Sequence, residues 1–167
     1  TKWLGYSGGV MVSASHNPYQ DNGIKVFGRD GTKLTDADEV QVEKRVFDLL
    51  GGARPERVDK IPDQAVTAAN DTGWHERYQE ILLSHFPNSD WLRGLRIVLD
   101  CANGAMSEVA PRLLTKLGAD VVVTHAWPNG TNINEGCGAV HVDALRSAMS
   151  GGNADFGVAF DGDGDRS

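Results

Sequence analysis

Apolar positions along the chain come first as short unbroken runs and then as longer periodic stretches. Gly9 to Val12 is a short apolar run that predicts a buried strand, and polar Ser13-Ala14-Ser15-His16-Asn17-Pro18 follows at once. A strand therefore delivers a polar loop. Ile24 to Phe27 predicts a second strand, entered through Asp21-Asn22-Gly23, a composition that favours a tight turn. Val42, Val46, Leu49 and Leu50 fall at helical spacing, preceded by Thr35 with Asp38 in the manner of a capping box and followed by Gly51. An amphipathic helix is expected there. Residues 54–67 mix charge with two prolines and show no period, which predicts a surface connection. Trp74, Tyr78, Ile81 and Leu82 mark another helix, with Pro87 as its stop.

From Leu95 onward the unit types alternate. A strand is expected near Leu95 to Cys101, then a helix carrying Val109, Leu113, Leu114 and Leu117 and ended by Gly118. A strand at Asp120 to Thr124, a short helix around Leu145 and Met149, and a strand at Phe156 to Phe160 complete the pattern. This β-α-β-α-β order predicts an α/β fold with a mainly parallel sheet covered by helices on both faces, and ligands at the carboxyl ends of the strands. Two α/β domains are expected, residues 1–90 with the serine-containing loop and residues 91–167 ending in the acidic loop. The opening at Thr1 and the stop directly after the most distinctive motif suggest a piece of a longer protein.

Composition narrows the function classes. The 167 residues are 40% hydrophobic and 23% charged, ordinary globular usage, and the formal charge is −7. With no excess of Lys and Arg to neutralise phosphates, neither a nucleic acid nor an anionic membrane is the expected partner. No apolar stretch approaches the roughly 18 residues of a membrane span. Only two cysteines occur, Cys101 and Cys137, in no C-x-x-C pattern, so neither a disulfide framework nor a thiolate zinc site is expected. A reducing, cytoplasmic location fits.

The candidate chemistry lies in two loops. Asp161, Asp163 and Asp165 are spaced by two, and Gly162 and Gly164 between them let the backbone curl, which can converge three carboxylates on one point. Carboxylates so close repel one another unless a cation sits among them, and hard oxygen ligands select Mg²⁺ or Ca²⁺. An EF-hand would need flanking helices and a Glu at its twelfth position. A phosphatase of the haloacid-dehalogenase type would carry its Asp-x-Asp at the start of its domain. In the other loop, Ser15 is a hydroxyl in an exposed turn that could accept a phosphoryl group, with His16 beside it. Lys25 follows after the turn, so its ammonium can come near the serine. Taken singly, these three are equally compatible with ordinary turn and surface residues.

Taken together, Gly-Val-Met-Val-Ser-Ala-Ser15-His16-Asn17-Pro18 with Asp21-Asn22-Gly23-Ile24-Lys25, then Asp100-Cys-Ala-Asn103-Gly104-Ala105, then Asp161-Gly-Asp163-Gly-Asp165-Arg166 resemble, in order and spacing, the α-D-phosphohexomutase superfamily. Within it, Pro128-Asn129-Gly130-Thr131-Asn132-Ile133-Asn134, with Gly136-Cys137-Gly138 and His141, is most similar to the bacterial branch that acts on glucosamine phosphate. The resemblance implies a four-domain isomerase of which this chain holds part of the first domain and most of the second. It implies that Ser15 is a phosphoserine that carries the transferred group, and that one Mg²⁺ is held by Asp161, Asp163, Asp165 and the Ser15 phosphate. It further implies that His16 and Lys25 serve proton transfer and that Arg166 contacts the serine phosphate. The substrate it implies is a hexosamine phosphate, with phosphomannomutase or phosphoglucomutase activity, or a non-enzymatic cation-binding module, as the alternatives. A homodimer is open for the full-length protein. The loops that read sugar hydroxyls and grip the non-reacting phosphate would lie outside this chain, so the chain alone is expected to be inactive.

Overall fold

The computed structural model describes residues 1–53 and 73–167, so the expected connection at 54–67 lies outside the described residues. The chain divides into two compact units, the first Thr1–Met11 with Ile24–Asp71 and the second Val12–Gly23 with Thr72–Ser167. In the chain, a short 3-10 turn at Lys2–Leu4 precedes β1 (Gly9–Ser13) and β2 (Gly23–Phe27), which form a two-stranded sheet. The segment that links these strands, Val12–Gly23, folds with the second unit.

Helix α1 (Asp36–Leu50) begins where the sequence places it. Thr35 sits in extended conformation, and its hydroxyl oxygen accepts from the Asp38 backbone N–H at 3.3 Å. The reciprocal half of a capping box is replaced: the Asp38 carboxylate accepts the Thr35 hydroxyl proton at 2.6 Å. Asp36, Asp38 and Glu39 in the first turn favour the helix dipole. The expected apolar stripe forms but is not buried among the described residues, since Val42, Val46, Leu49 and Leu50 all remain exposed.

In the second unit, α2 (Gly73–Leu83), β3 (Arg96–Asp100), α3 (Met106–Lys116), β4 (Asp120–Thr124), α4 (Val142–Met149) and β5 (Phe156–Ala159) follow in order. The sheet order is β4-β3-β5, with both pairings parallel. Central β3 is apolar and buried throughout its Ile97-Val98-Leu99 run, as a strand covered on both faces must be. Its register pairs Leu99 with Val123 on one side and Val158 on the other. Alternate residues feed opposite cores. Ile97 and Leu99 pack with Ala110 and partly buried Leu114 of α3, whereas Val98 packs with Leu145 and Met149 of α4. Each such side chain contributes on the order of 1.5–3 kcal/mol through burial.

Two details depart from the sequence pattern. Helix α2 ends at Leu83, four residues before Pro87, because Ser84 and His85 turn back to the Ile81 carbonyl through side-chain hydrogen bonds of 2.7 Å each. Helix α3 contains Pro111, which removes one intrahelical donor. Nevertheless α3 continues to Lys116, held against the sheet by its apolar face. No described helix is long and apolar enough to cross a membrane.

Candidate functional site

The carboxyl ends of the three parallel strands, together with the serine loop, assemble the site within the second unit. The β3 end is organised by Asp100, which is fully buried. Its Oδ1 accepts from the Ala102 N–H at 3.0 Å and its Oδ2 from the Gly138 N–H at 2.9 Å, tying the loops after β3 and before α4 to one carboxylate. His125, past the end of β4, places Nδ1 3.3 Å from the same Oδ1. Ala102 and Asn103 both adopt left-handed backbone conformations, with φ of 52° and 48°, and this sharp turn carries the chain over to Gly104.

Gly104 lies against the acidic loop. A Cβ on Gly104 would fall 2.8 Å from Gly162 Cα and collide with the Gly162 carbonyl oxygen, and that oxygen accepts from the Ala105 N–H at 2.9 Å. Only glycine permits this backbone-to-backbone approach. Gly162 in turn donates its N–H to the Ser15 carbonyl at 3.0 Å, and a Cβ there would strike that carbonyl. Three loops are thus stacked, with glycines at both contacts.

Ser15 itself is strained. Its φ of 51° is left-handed, a conformation that costs a non-glycine residue roughly 1–2 kcal/mol. The surroundings hold it there: Ser15 donates its N–H to Ser13 Oγ at 2.9 Å, and its carbonyl accepts from Gly162 and from Asn134 Nδ2, the latter at 2.8 Å. Asn134 Nδ2 also reaches the Asn17 carbonyl at 2.8 Å, so one amide fastens both sides of the loop.

Side chains converge on the Ser15 hydroxyl. Ser15 Oγ lies 3.4 Å from Asp161 Oδ2 and accepts from Arg166 Nη2 at 2.6 Å. The same Nη2 stands 3.0 Å from Asp161 Oδ2 and 2.8 Å from His16 Nδ1, and Arg166 Nε approaches Asp165 Oδ1 at 3.3 Å. Asp161 is buried, and its other oxygen accepts the Arg166 backbone N–H at 3.2 Å. Ser13 donates its hydroxyl to Asp163 Oδ2 at 3.0 Å. Partial desolvation opposes the charge on Arg166, but its hydrogen bond to Asp161 and the charges of Asp161 and Asp165 outweigh this and raise its pKa further. The guanidinium is therefore a fixed positive charge beside the hydroxyl.

Asp161, Asp163 and Asp165 can each present one carboxylate oxygen with all three oxygens within 4.8 Å of one another. Three hard oxygens and no nitrogen or sulfur fit a divalent cation of the oxygen-seeking kind. Of the residues singled out in the sequence, Ser15, His16, Asp161, Asp163, Asp165 and Arg166 come together here. Lys25 lies half-buried on β2, in the first unit. Sequence reasoning did not assign a role to Ser13, Asn134 or Asp100. Asp100 carried a signal, a charged residue closing a buried apolar run, whereas Asn134 stands in the motif at 128–134 but acts on Ser15 and Asn17, far from it in the chain, which no local pattern shows.

Sequence comparison decides the family. The profile of phosphoglucomutase/phosphomannomutase alpha/beta/alpha domain I matches residues 1–50, and that of alpha/beta/alpha domain II matches residues 76–167, more than half of the chain. The chain belongs to the phosphoglucomutase/phosphomannomutase family. Among its relatives, the phosphoglucosamine mutase of Deinococcus deserti is 47% identical over 99% of this chain and 36% of its own length. That of Aromatoleum aromaticum is 49% identical over 99% of this chain and 35% of its own length. The chain thus spans about a third of the length of these curated relatives. A solved phosphoglucomutase/phosphomannomutase family protein from Burkholderia thailandensis superposes with a TM-score of 0.60 at 26% identity, covering 92% of this chain and 31% of that one. A Thermus thermophilus structure reaches a TM-score of 0.69 at 21% identity over 99% of this chain and 36% of its own, a likeness of fold.

Proposed function

We propose that this chain is the phosphoryl-carrying and metal-binding part of a phosphoglucosamine mutase, which interconverts glucosamine 6-phosphate and glucosamine 1-phosphate through a phosphoserine at Ser15 and a bisphosphorylated sugar. The observation that carries the reading is the Arg166 guanidinium, 2.6 Å from Ser15 Oγ and paired at 3.0 Å with Asp161 of the acidic trio. A hydroxyl so placed has a permanent cation and a carboxylate-rich loop beside it, the surroundings that a phosphoryl dianion requires. The sugar follows from the names of the relatives at 47% and 49% identity.

In this reading Asp161, Asp163 and Asp165 hold Mg²⁺ together with the Ser15 phosphate. A Mg²⁺ held there would supply charge withdrawal from the phosphoryl oxygens, making the serine phosphate a better donor. The chain's own residues do the rest. Arg166 holds the Ser15 side chain and neutralises the phosphoryl oxygens. When the sugar hydroxyl attacks phosphorus, the bond from phosphorus to Ser15 Oγ breaks, and the proton of the attacking hydroxyl passes to Lys25 or His16 acting as base. The reverse step returns the other phosphate to Ser15. The domain boundary in this reading lies between residues 90 and 91. The enzyme works in the cytoplasm, as a monomer or homodimer, with neither nucleic acid nor membrane as partner, and the 167 residues alone do not turn over substrate.

Intact-mass analysis of the mutase containing this chain tests the proposal: one phosphate is expected, mapped to Ser15, and Ser15→Ala removes both the adduct and turnover. Full turnover by that variant overturns the carrier role. Assay with glucosamine, glucose and mannose phosphates separates the favoured sugar from those of a phosphoglucomutase or phosphomannomutase. A phosphate-free protein that binds cations without turning over any of them is a non-enzymatic module.

A further inference from the structure

The ends of β3 and β4 and the loop before α4 bring together a second set of donor atoms, chemically unlike the aspartate loop. A carboxylate oxygen of Asp100, a ring nitrogen of His125 and the sulfur of Cys137 all lie within 4.8 Å of one another. All three residues belong to the second unit. Asp100 and Cys137 are fully buried and His125 is half-buried, so the imidazole is the edge of the cluster that meets solvent. The backbone fixes these donors. His125 takes a left-handed conformation with φ of 49°, and its carbonyl accepts the Asn103 backbone N–H. Gly138, next to Cys137, packs so tightly that a Cβ there would fall 2.7 Å from both the Ala102 Cβ and the Phe160 carbonyl oxygen.

The imidazole supplies an independent sign of a ligand. His125 Nδ1 is buried and makes no hydrogen bond among the described residues, although it stands 3.3 Å from Asp100 Oδ1. A buried ring nitrogen without a partner is costly, and few persist in folded proteins. The same separation is that of two ligands on one tetrahedral ion, since bonds of about 2.0–2.2 Å put neighbouring donors roughly 3.4 Å apart. The other donors keep capacity as well. Each Asp100 oxygen accepts one amide, from Ala102 or Gly138, and retains a lone pair. The contact of Cys137 Sγ is a weak one, 3.9 Å from Asn103 Nδ2. One oxygen, one imidazole nitrogen and one sulfur suit a borderline-soft ion, whereas Mg²⁺ prefers oxygen alone.

We propose that Asp100, His125 and Cys137 form a second cation site, specific for a borderline-soft divalent ion of the Zn²⁺ class, with water as the fourth ligand on the His125 side. The ion takes the sulfur as thiolate, so the Cys137 proton passes to solvent as the metal–sulfur bond forms. No C-x-x-C spacing marks the site, because each donor comes from a different strand end or loop. An ion held there would join the turn that leads to Gly104, which lies against Gly162, to the segment that carries Asn134, which fastens Ser15.

Co²⁺ titrated into the reduced full-length protein containing this chain, with Mg²⁺ in excess to occupy the aspartate loop, reads the site directly. A thiolate-to-cobalt charge-transfer absorption in the near ultraviolet is expected, displaced by Zn²⁺ and not by Mg²⁺. Cys137→Ser is expected to abolish it, and Cys101→Ala to leave it in place. His125→Asn is the second variant, because asparagine tolerates the left-handed backbone and the half-buried position leaves the core intact. It is expected to weaken Co²⁺ binding about tenfold or more. The proposal is overturned if the absorption never forms, is abolished by Mg²⁺, survives in Cys137→Ser or is lost in Cys101→Ala. Co²⁺ affinity within about twofold of the parent in His125→Asn overturns it equally.

Discussion

Ser15 is held by its backbone and addressed by its side chain, and the two can be separated by mutation. Asn134→Ala removes two donors from the serine loop, leaving the Ser15 carbonyl with Gly162 only. A cost of about 1–3 kcal/mol in stability is expected, together with a lower yield of phosphoserine, checked by urea denaturation and intact mass. Arg166→Lys is predicted to act differently. Lysine keeps the charge but lacks the planar fork that reaches Ser15, His16, Asp161 and Asp165 at once. Stability should change little, while kcat of the complete enzyme falls on the order of a hundredfold, the usual loss when one donor to a developing charge is removed.

At the level of elements, the site depends on how closely three loops approach. The contact of Gly104 with Gly162, and of Gly162 with the Ser15 carbonyl, involves main chain on both sides, so neither neighbour can give way as a flexible side chain would. Gly104→Ala and Gly162→Ala are each expected to cost about 1–3 kcal/mol or more and to weaken any divalent-cation binding by the acidic loop, read by urea midpoints and titration calorimetry. Elements of this kind were legible in the sequence where one strand or helix buries its own pattern: β3, α3, β4, α4 and β5 all follow from period and punctuation. The α1 stripe was equally legible as a pattern, yet its exposure was not, because periodicity reports which side is apolar and not what covers it. The convergence of Asp161, Asp163 and Asp165 could be read from spacing alone. The bracing of Ser15 and Asn17 by Asn134 could not, since hydrogen bonds between residues 119 and 117 apart leave no local periodicity.

Across the molecule, the second unit buries two free thiols, those of Cys101 and Cys137. Burial, with the Asp100 charge adding to it, pushes the Cys101 thiol up to about 12, and burial with the charges of Asp100 and Glu135 pushes Cys137 up to about 11. In the unfolded chain both ionise near their ordinary 9.0, so above that pH the unfolded state has lost protons that the folded state keeps. Stability is therefore expected to fall as pH rises from about 9 towards 11, and to be insensitive to these groups below about pH 8. Urea midpoints between about pH 7.5 and 10.5 check this, and a Cys101→Ala, Cys137→Ala double variant should flatten the slope. A thiol reagent at about pH 8 should label both cysteines only after denaturation.

The fastening of Ser15 through its carbonyl and amide, with the hydroxyl kept out of the scaffold, has a consequence for the working cycle. Esterification and release would alter only the tip of one side chain, so the loop need not rearrange as its charge alternates. Such a support is tolerant of turnover: the backbone hydrogen bonds that fasten Ser15 would be the same whether its hydroxyl is esterified or free.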